Sequence, residues 1–334
     1  MTQEQLEIIC KTLNLGHPIS FPTRVYGGLL HIMWRLDAEK GTFAIKQLSK
    51  DVNLDELTRN SYEISENIAR RFRELGIPAI SSITNNSKSL VDADSNTFIV
   101  YPWVNAKVLD KNEVSIKHAK KIAAILAKMH LINLSLSEIT KLKYETPSND
   151  IIIDLIGKSL QASLPFADQL QKAKAWILDV NEKYEKTIPL LNQFIVISHG
   201  DLDPKNVLWD QNNDPILIDW ESARVTNPTY EILIAALDWS GITAGSMRND
   251  IFLAMIKAYK DEGGVIDSNN LKAISHAIPG YCIDWMVYNI KRSLKNTSPE
   301  EKNMGLEQVN QTLQTILYLN SKIKGLIKMV NDDD

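Results

Sequence analysis

Three side chains bearing hard oxygen atoms, Asp201, Asn206 and Asp219, stand at spacings that could build one proton- and metal-handling centre. Asp201 and Asn206 lie five residues apart in HGDLDPKN, a Pro-containing stretch between the apolar runs FIVIS and VLW. Asp219 follows thirteen residues after Asn206 and closes the run PILID. The turn-forming Asn212-Asn213-Asp214 predicts a hairpin that returns the end of this run beside Asn206. A small set of carboxylate and amide oxygens suits Mg²⁺, which completes its octahedron with water and substrate phosphates. Two other readings are weaker. Turn and capping duty alone would require the spacings to coincide by chance. An iron site made from His199, Asp201 and a distant His276 would leave Asn206 and Asp219 idle.

The elements that must position these residues can be read from the hydrophobic period. Leu6, Ile9, Cys10 and Leu13 share one face of a helix that Gly16 ends. Leu30, Ile32, Trp34 and Leu36 then alternate, Asp37 to Gly41 supply turn chemistry, and TFAIKQL follows. This predicts a β-hairpin with Gly27 and Gly28 at its entrance and Lys46 inside its second strand. A helix follows with Ile64, Ile68, Phe72 and Leu75 on one face, closed by Gly76 and Pro78. Short strands are expected around Ile83, at Leu90–Val91 and at Phe98–Tyr101, with a turn at Asn85-Asn86. From Pro102 onward helical patterning dominates, broken only by the strand-and-loop segment 193–223. The expected division is a sheet-rich domain over residues 1–104 and a larger, mostly helical one over 105–334.

Composition narrows the function classes. Thirty-seven Lys and Arg oppose 41 Asp and Glu, a net charge of −4. Nucleic-acid binding normally requires a basic excess for phosphate contacts, so no nucleic-acid partner is expected. Two cysteines, Cys10 and Cys282, exclude a disulfide framework. No apolar run approaches the ~18 residues that cross a bilayer, and the first residues carry no secretory signature, which makes a cytoplasmic protein without a membrane partner the expectation. Oligomeric state stays open.

The Asp-x4-Asn spacing equals that of a kinase catalytic loop, in which the Asp accepts the hydroxyl proton and the Asn holds metal. HGDLDPKNVLWD followed by ILIDWE resembles the catalytic core of the aminoglycoside phosphotransferase and choline kinase family, a branch of the protein-kinase-like fold. YGGLLHIMWRL with FAIK is similar to the family's glycine-containing hairpin and phosphate-binding lysine. TFIVYPWV resembles its hinge strand, IAAILAKMH its helix ending in His, and NPTYEILIAALDW the stretch after its metal aspartate. The likeness spans about residues 20–240; the remainder shows only helical character.

The resemblance implies an α+β, bilobal protein-kinase-like fold with a β-rich N-lobe and a helical C-lobe. It implies transfer of a phosphate from ATP, with Mg²⁺, to a hydroxyl of a small molecule. The acceptor could be aminoglycoside-like, an amino alcohol or sugar-like. Asp201 would then act as base or orienter for the acceptor hydroxyl, Asn206 and Asp219 would hold Mg²⁺, and His199 would brace the loop. Lys46 would contact the ATP phosphates, near Gly27 and Gly28, and the backbone at Trp103 and Val104 would meet the adenine ring. Glu66 or Glu63 would pair with Lys46. Two residues depart from the family pattern: Asp203 where many relatives have His, and Lys205 where they have Gly. Trp220, Glu221, Asp238, Trp239, Asp284 and Trp285 could form an aromatic and acidic wall for a cationic acceptor. The alternative function is a catalytically weak, nucleotide-binding module of this fold that acts through a protein partner. A protein kinase is disfavoured, because Trp-Glu-Ser follows Asp219 and no Ala-Pro-Glu segment comes after it.

Overall fold

A computed structural model describes residues 1–26, 30–50, 52–110, 112–136, 144, 146–295 and 299–332. Gly27 and Gly28, expected at the hairpin entrance, lie outside these described residues. The chain divides into two compact units, one drawn mainly from Met1–Leu109 with His199–Arg224, the other mainly helical.

The first unit is built on a five-stranded antiparallel sheet of β1 (Thr23–Val25), β2 (Ile32–Ala38), β3 (Gly41–Gln47), β4 (Val91–Ala93) and β5 (Asn96–Pro102), in the order β1-β2-β3-β5-β4. Because side chains alternate across a strand, Phe43 and Ile45 face one side of β3, and Lys46 faces the other. The first side is covered by α1 (Gln3–Thr12), whose Leu6, Ile9 and Cys10 join Leu36, Phe43, Ile45, Phe98 and Val100 in one apolar cluster. A Thr2–Gln5 capping box starts that helix. Helix α2 (Glu56–Glu74) is capped by Asp55 and buries Ile68, Ala69 and Phe72. No strand forms around Ile83. Its N–H makes a single bond to the Val100 carbonyl, 2.7 Å, and the chain then enters a tight turn with Asn85 and Lys88 paired and positive φ at Asn86 and Ser87. After β5 the chain leaves through β6 (Lys107–Val108).

The second unit contains α3 (Ile116–Ile132), α4 (Asn149–Gln161), α5 (Ala167–Leu191), the short β7 (Val196–Ser198), α6 (Pro228–Trp239), α7 (Asn249–Asp261), α8 (Leu271–Leu294) and α9 (Pro299–Asp332). Its main core joins α4, α5, α8 and α9 through residues such as Ile152, Phe166, Ile177, Ile283, Met286 and Ile316. Inside the unit, His130 on α3 is buried between Tyr259 (2.7 Å from Nδ1) and Glu231 (2.9 Å from Nε2). Burial pushes the Tyr259 hydroxyl above the usual phenol range. His130→Ala strips a partner from two buried polar groups, and its expected cost is about 1–3 kcal/mol, read from urea unfolding.

The return to the first unit is made by β8 (Val207–Trp209) and β9 (Pro215–Leu217), an antiparallel hairpin with Val207 opposite Leu217 and Trp209 opposite Pro215. Asp210 closes the turn by accepting from the N–H groups of Asn212 and Asp214, with Asn213 at φ +62°. β6 extends this sheet beside β8. On its other side β9 pairs with the segment after α2: Leu217 N–H donates to Pro78 (2.8 Å) and Ile80 N–H to Leu217 (2.9 Å). Trp220, 2% exposed, packs its ring on Phe72 of α2 at 5.6 Å. These contacts tie 199–224 to the opening third of the chain.

Candidate active site

Lys46 sits on the sheet face away from α1, opposite Met33 of β2 and Ile99 of β5, and is 8% exposed. A lysine there needs partners, because an unpaired buried ammonium is costly. Its Nζ lies 2.7 Å from Asp219 Oδ1 and 3.3 Å from Glu221 Oε2. Burial disfavours its charged form, but the two carboxylates outweigh that and hold it above the ordinary lysine range. Glu221 is itself held down to about 2: burial works against its charge, and Lys46 and His31 overcome it. His31 Nδ1 accepts from the Ser49 N–H at 3.1 Å, so the ring proton resides on Nε2, which is 3.1 Å from Glu221 Oε2 and 3.2 Å from the Tyr62 hydroxyl. Neither His31 nor Glu221 stands out in the sequence as a partner of Lys46. The one available signal is that Glu221 follows Asp219 by two residues.

The helix glutamates do other work. Glu66, 3% exposed, accepts from the Tyr101 hydroxyl and from the Ser82 N–H, and among the described residues it makes no ion pair with Lys46. Burial raises its carboxyl, an effect that its hydrogen bonds and the nearby Lys46 charge oppose. Glu63 accepts from the N–H groups of Ser89 and Leu90. At the end of β5, the Trp103 N–H continues the sheet to the Thr42 carbonyl at 3.0 Å. That N–H is therefore spent on the sheet.

The catalytic-loop residues are gathered just before β8. Asn206 Nδ2 donates to the Asp201 carbonyl (2.7 Å) and to Asp201 Oδ2 (2.9 Å). Both bonds use the amide nitrogen, so the amide oxygen, the metal-type donor, is not consumed by them. The Ile218 N–H bonds to the Asn206 carbonyl at 3.0 Å, which sets Asp219 next in line beyond that pairing. Asp219 has φ +62° and ψ +60°, a left-handed conformation that Asp tolerates better than most residues. His199 is fully buried; its Nε2 lies 3.0 Å from the Ile218 carbonyl and its ring packs on Trp220 at 4.6 Å. Asp203 is pushed up to about 6 by burial and the adjacent Asp201 charge, against the pull of Lys205. Lys205 Nζ contacts Asp203 Oδ2 at 2.6 Å and Asp201 Oδ2 at 3.3 Å.

Gly200 is required by geometry. It has φ +78°, and a Cβ there would fall 2.2 Å from the Ser222 carbonyl oxygen. Gly200→Ala must therefore displace either the catalytic loop or the turn after Asp219. The expected loss is about 1–3 kcal/mol from backbone strain alone, with a larger proportional loss of turnover, checked by thermal melting beside kinetics.

Among the described residues, no group of three or more His, Cys, Asp and Glu side chains is arranged to hold a metal. The site thus offers a carboxylate and an amide oxygen, a donor set that fits Mg²⁺ shared with substrate phosphates and not a protein cage. Of the residues expected in an aromatic and acidic wall, Trp220 and Trp239 are instead 2% exposed core residues, and Glu221 belongs to the Lys46 network. Trp285, 38% exposed, stacks on Tyr288. Among the described residues no helix is long and apolar enough to cross a membrane.

Comparison with known proteins identifies the fold and the family. The fold is shared with a spectinomycin phosphotransferase, APH(9)-Ia, solved with ADP and spectinomycin (TM-score 0.66, 17% identity, 98% of each chain covered). It is shared with the amicoumacin kinase hAmiN bound to AMP-PNP, Ca²⁺ and Ami (0.64, 14% identity, 93% of each chain). It is also shared with choline kinase LicA from Streptococcus pneumoniae (0.63, 16% identity, 95% of this chain and 99% of that one). Residues 28–260 match the sequence profile of the APH family, described as the phosphotransferase enzyme family. With that match over most of its length, the chain belongs to the phosphotransferase enzyme family.

Proposed function

We propose that this enzyme transfers the γ-phosphate of ATP to a hydroxyl group of a small molecule in a Mg²⁺-dependent reaction. The observation that carries this reading is one continuous set of contacts. It runs from Lys46 to Asp219 (2.7 Å), through the Ile218–Asn206 backbone pairing, to Asp201 (2.9 Å from the Asn206 amide). Asp201 Oδ2 is taken by donors, whereas Oδ1 has no hydrogen-bond partner among the described residues. That oxygen is the one to orient an acceptor hydroxyl and take its proton as the bond to phosphorus forms. Lys46 carries the positive charge that meets nucleotide phosphates, with Glu221 and His31 fixing where it stands. Asp219 and the Asn206 oxygen are the residues that would hold Mg²⁺, whose charge offsets that of the phosphates when bound. Little covalent help is needed for a loose phosphoryl transition state, so positioning and charge carry the mechanism.

The nucleotides in the spectinomycin phosphotransferase and amicoumacin kinase complexes support ATP as donor, and the hard Ca²⁺ in the latter supports a divalent cation. The relatives are named for spectinomycin and for choline, so amine-bearing alcohols are the first acceptors to try. A screen with γ-labelled ATP and Mg²⁺ across amino alcohols, aminoglycosides and sugars tests the proposal. Label moving to one acceptor class is the expected result. Nucleotide binding with no transfer to any hydroxyl would favour the alternative, a binding module that acts through a partner.

A further inference from the structure

We propose that Lys205, tethered by Asp203, is a positioning residue that holds the Asp201 carboxylate in the orientation needed for phosphoryl transfer. The inference rests on the reading of Asp201 given above.

Asp201 is gripped on one oxygen. Oδ2 receives the Asn206 amide at 2.9 Å and the Lys205 ammonium at 3.3 Å, and among the described residues Oδ1 receives nothing. A carboxylate with a single neutral donor can rotate about its Cβ–Cγ bond. A second, charged donor on the same oxygen fixes the plane and leaves Oδ1 turned to the acceptor. Asn206 places one of its two amide hydrogens on Oδ2 and the other on the Asp201 carbonyl, so it gives the carboxylate a single neutral donor. Lysine is a poor restraint when loose, since four rotatable bonds and strong hydration favour a solvated position. Here the looseness is removed by Asp203, which holds both ends of Lys205. Its Oδ1 accepts the Lys205 backbone N–H at 2.9 Å, and its Oδ2 meets the Lys205 Nζ at 2.6 Å. The two residues flank Pro204 in a short 3-10 turn that fixes their separation. The Lys205 side chain, 53% exposed, is thus directed back onto Asp201 by a partner whose own side chain is only 18% exposed.

The test uses Mg·ATP with water as the hydroxyl acceptor, so that slow hydrolysis reads the loop without an identified substrate. Lys205→Met is expected to lower kcat for hydrolysis about ten- to hundred-fold, the scale of a misplaced reacting group. KM for Mg·ATP, the calorimetric affinity for Mg·ADP and the thermal midpoint should all stay near wild type. Lys205→Arg should recover part of the loss. Asp203→Asn keeps a cap for the Lys205 N–H but discards the charge that tethers Nζ, so it should lower kcat in the same direction. Added to Lys205→Met it should change nothing further, because the tether has then lost its cargo. Wild-type kcat in Lys205→Met, a loss confined to KM, or an equal fall in Mg·ADP affinity would each overturn the proposal. Asp201→Asn separates the two readings. If it abolishes hydrolysis while Lys205→Met keeps the wild-type kcat, the positioning role fails and the reading of Asp201 stands; if Asp201→Asn hydrolyses at the wild-type rate, the reading of Asp201 itself fails.

Discussion

Asp201→Asn should cut phosphoryl transfer by about 10²- to 10⁴-fold, the range associated with a positioned general base. The substitution is nearly isosteric. The oxygen of the introduced amide can still accept from the Asn206 amide that now meets Asp201 at 2.9 Å, so the loop should keep its shape. What disappears is the carboxylate oxygen Oδ1 proposed to take the acceptor proton. Binding of Mg·ATP, measured by calorimetry, should stay within about two-fold of wild type, because the residues proposed to meet phosphate and metal are untouched. Parallel loss of binding and turnover would place Asp201 in nucleotide binding instead and would sink its role toward the hydroxyl. An unchanged rate would do the same more directly.

The second large effect is expected at Asp219. Asp219→Asn should remove most of the Mg²⁺ dependence of ATP binding, read as the ratio of affinities with and without Mg²⁺. Asn is the informative replacement because it accepts φ +62° nearly as well as Asp does, whereas Ala would add backbone strain to the loss of the carboxylate. The change also removes the closer of the two counter-charges from Lys46, 2.7 Å away, leaving Glu221 at 3.3 Å. Lys46 should therefore retain its place, and metal-free ATP affinity should hold or rise. A Mg²⁺ dependence equal to wild type in this variant would refute the assignment of Asp219 as a metal ligand.

The parts of this molecule legible in its sequence are those specified by near neighbours. The β2–β3 hairpin follows from strict alternation across a turn, and β8–β9 follows from two apolar runs around Asn212 and Asn213. The catalytic-loop trio is legible for the same reason, since Asp201, Asn206 and Asp219 sit on one local supersecondary unit. The partners of Lys46 are not legible. Glu221 is 175 residues from it, and the His31–Glu221 contact spans 190, distances over which no periodicity carries information. Helix α2 supplies Glu66 and Glu63, the chemically plausible carboxylates, but Tyr101 and the backbone around Ser82 and Ser89 claim them. Trp220 misleads in the opposite sense. Its acidic neighbour suggests a ligand wall, yet Phe72 and His199 enclose its ring. Ile83 shows the limit of short apolar cues, because a turn at Asn85–Lys88 begins before a strand can form.

The pairing of β9 with Pro78 and Ile80 has a consequence for how the protein is made. The opening 109 residues leave the ribosome with the Phe72 ring uncovered and the 78–80 backbone unpaired, because both are completed by residues near 217–220. At a synthesis rate of about 5–20 residues per second, that interval lasts on the order of 5–20 seconds. Throughout it an apolar helix face and an open strand edge stay exposed on a nascent chain, the conditions that recruit chaperones and favour aggregation. Lys46 and the carboxylates that steady it are thus joined only late in translation, after the helices that separate them in sequence have been synthesised.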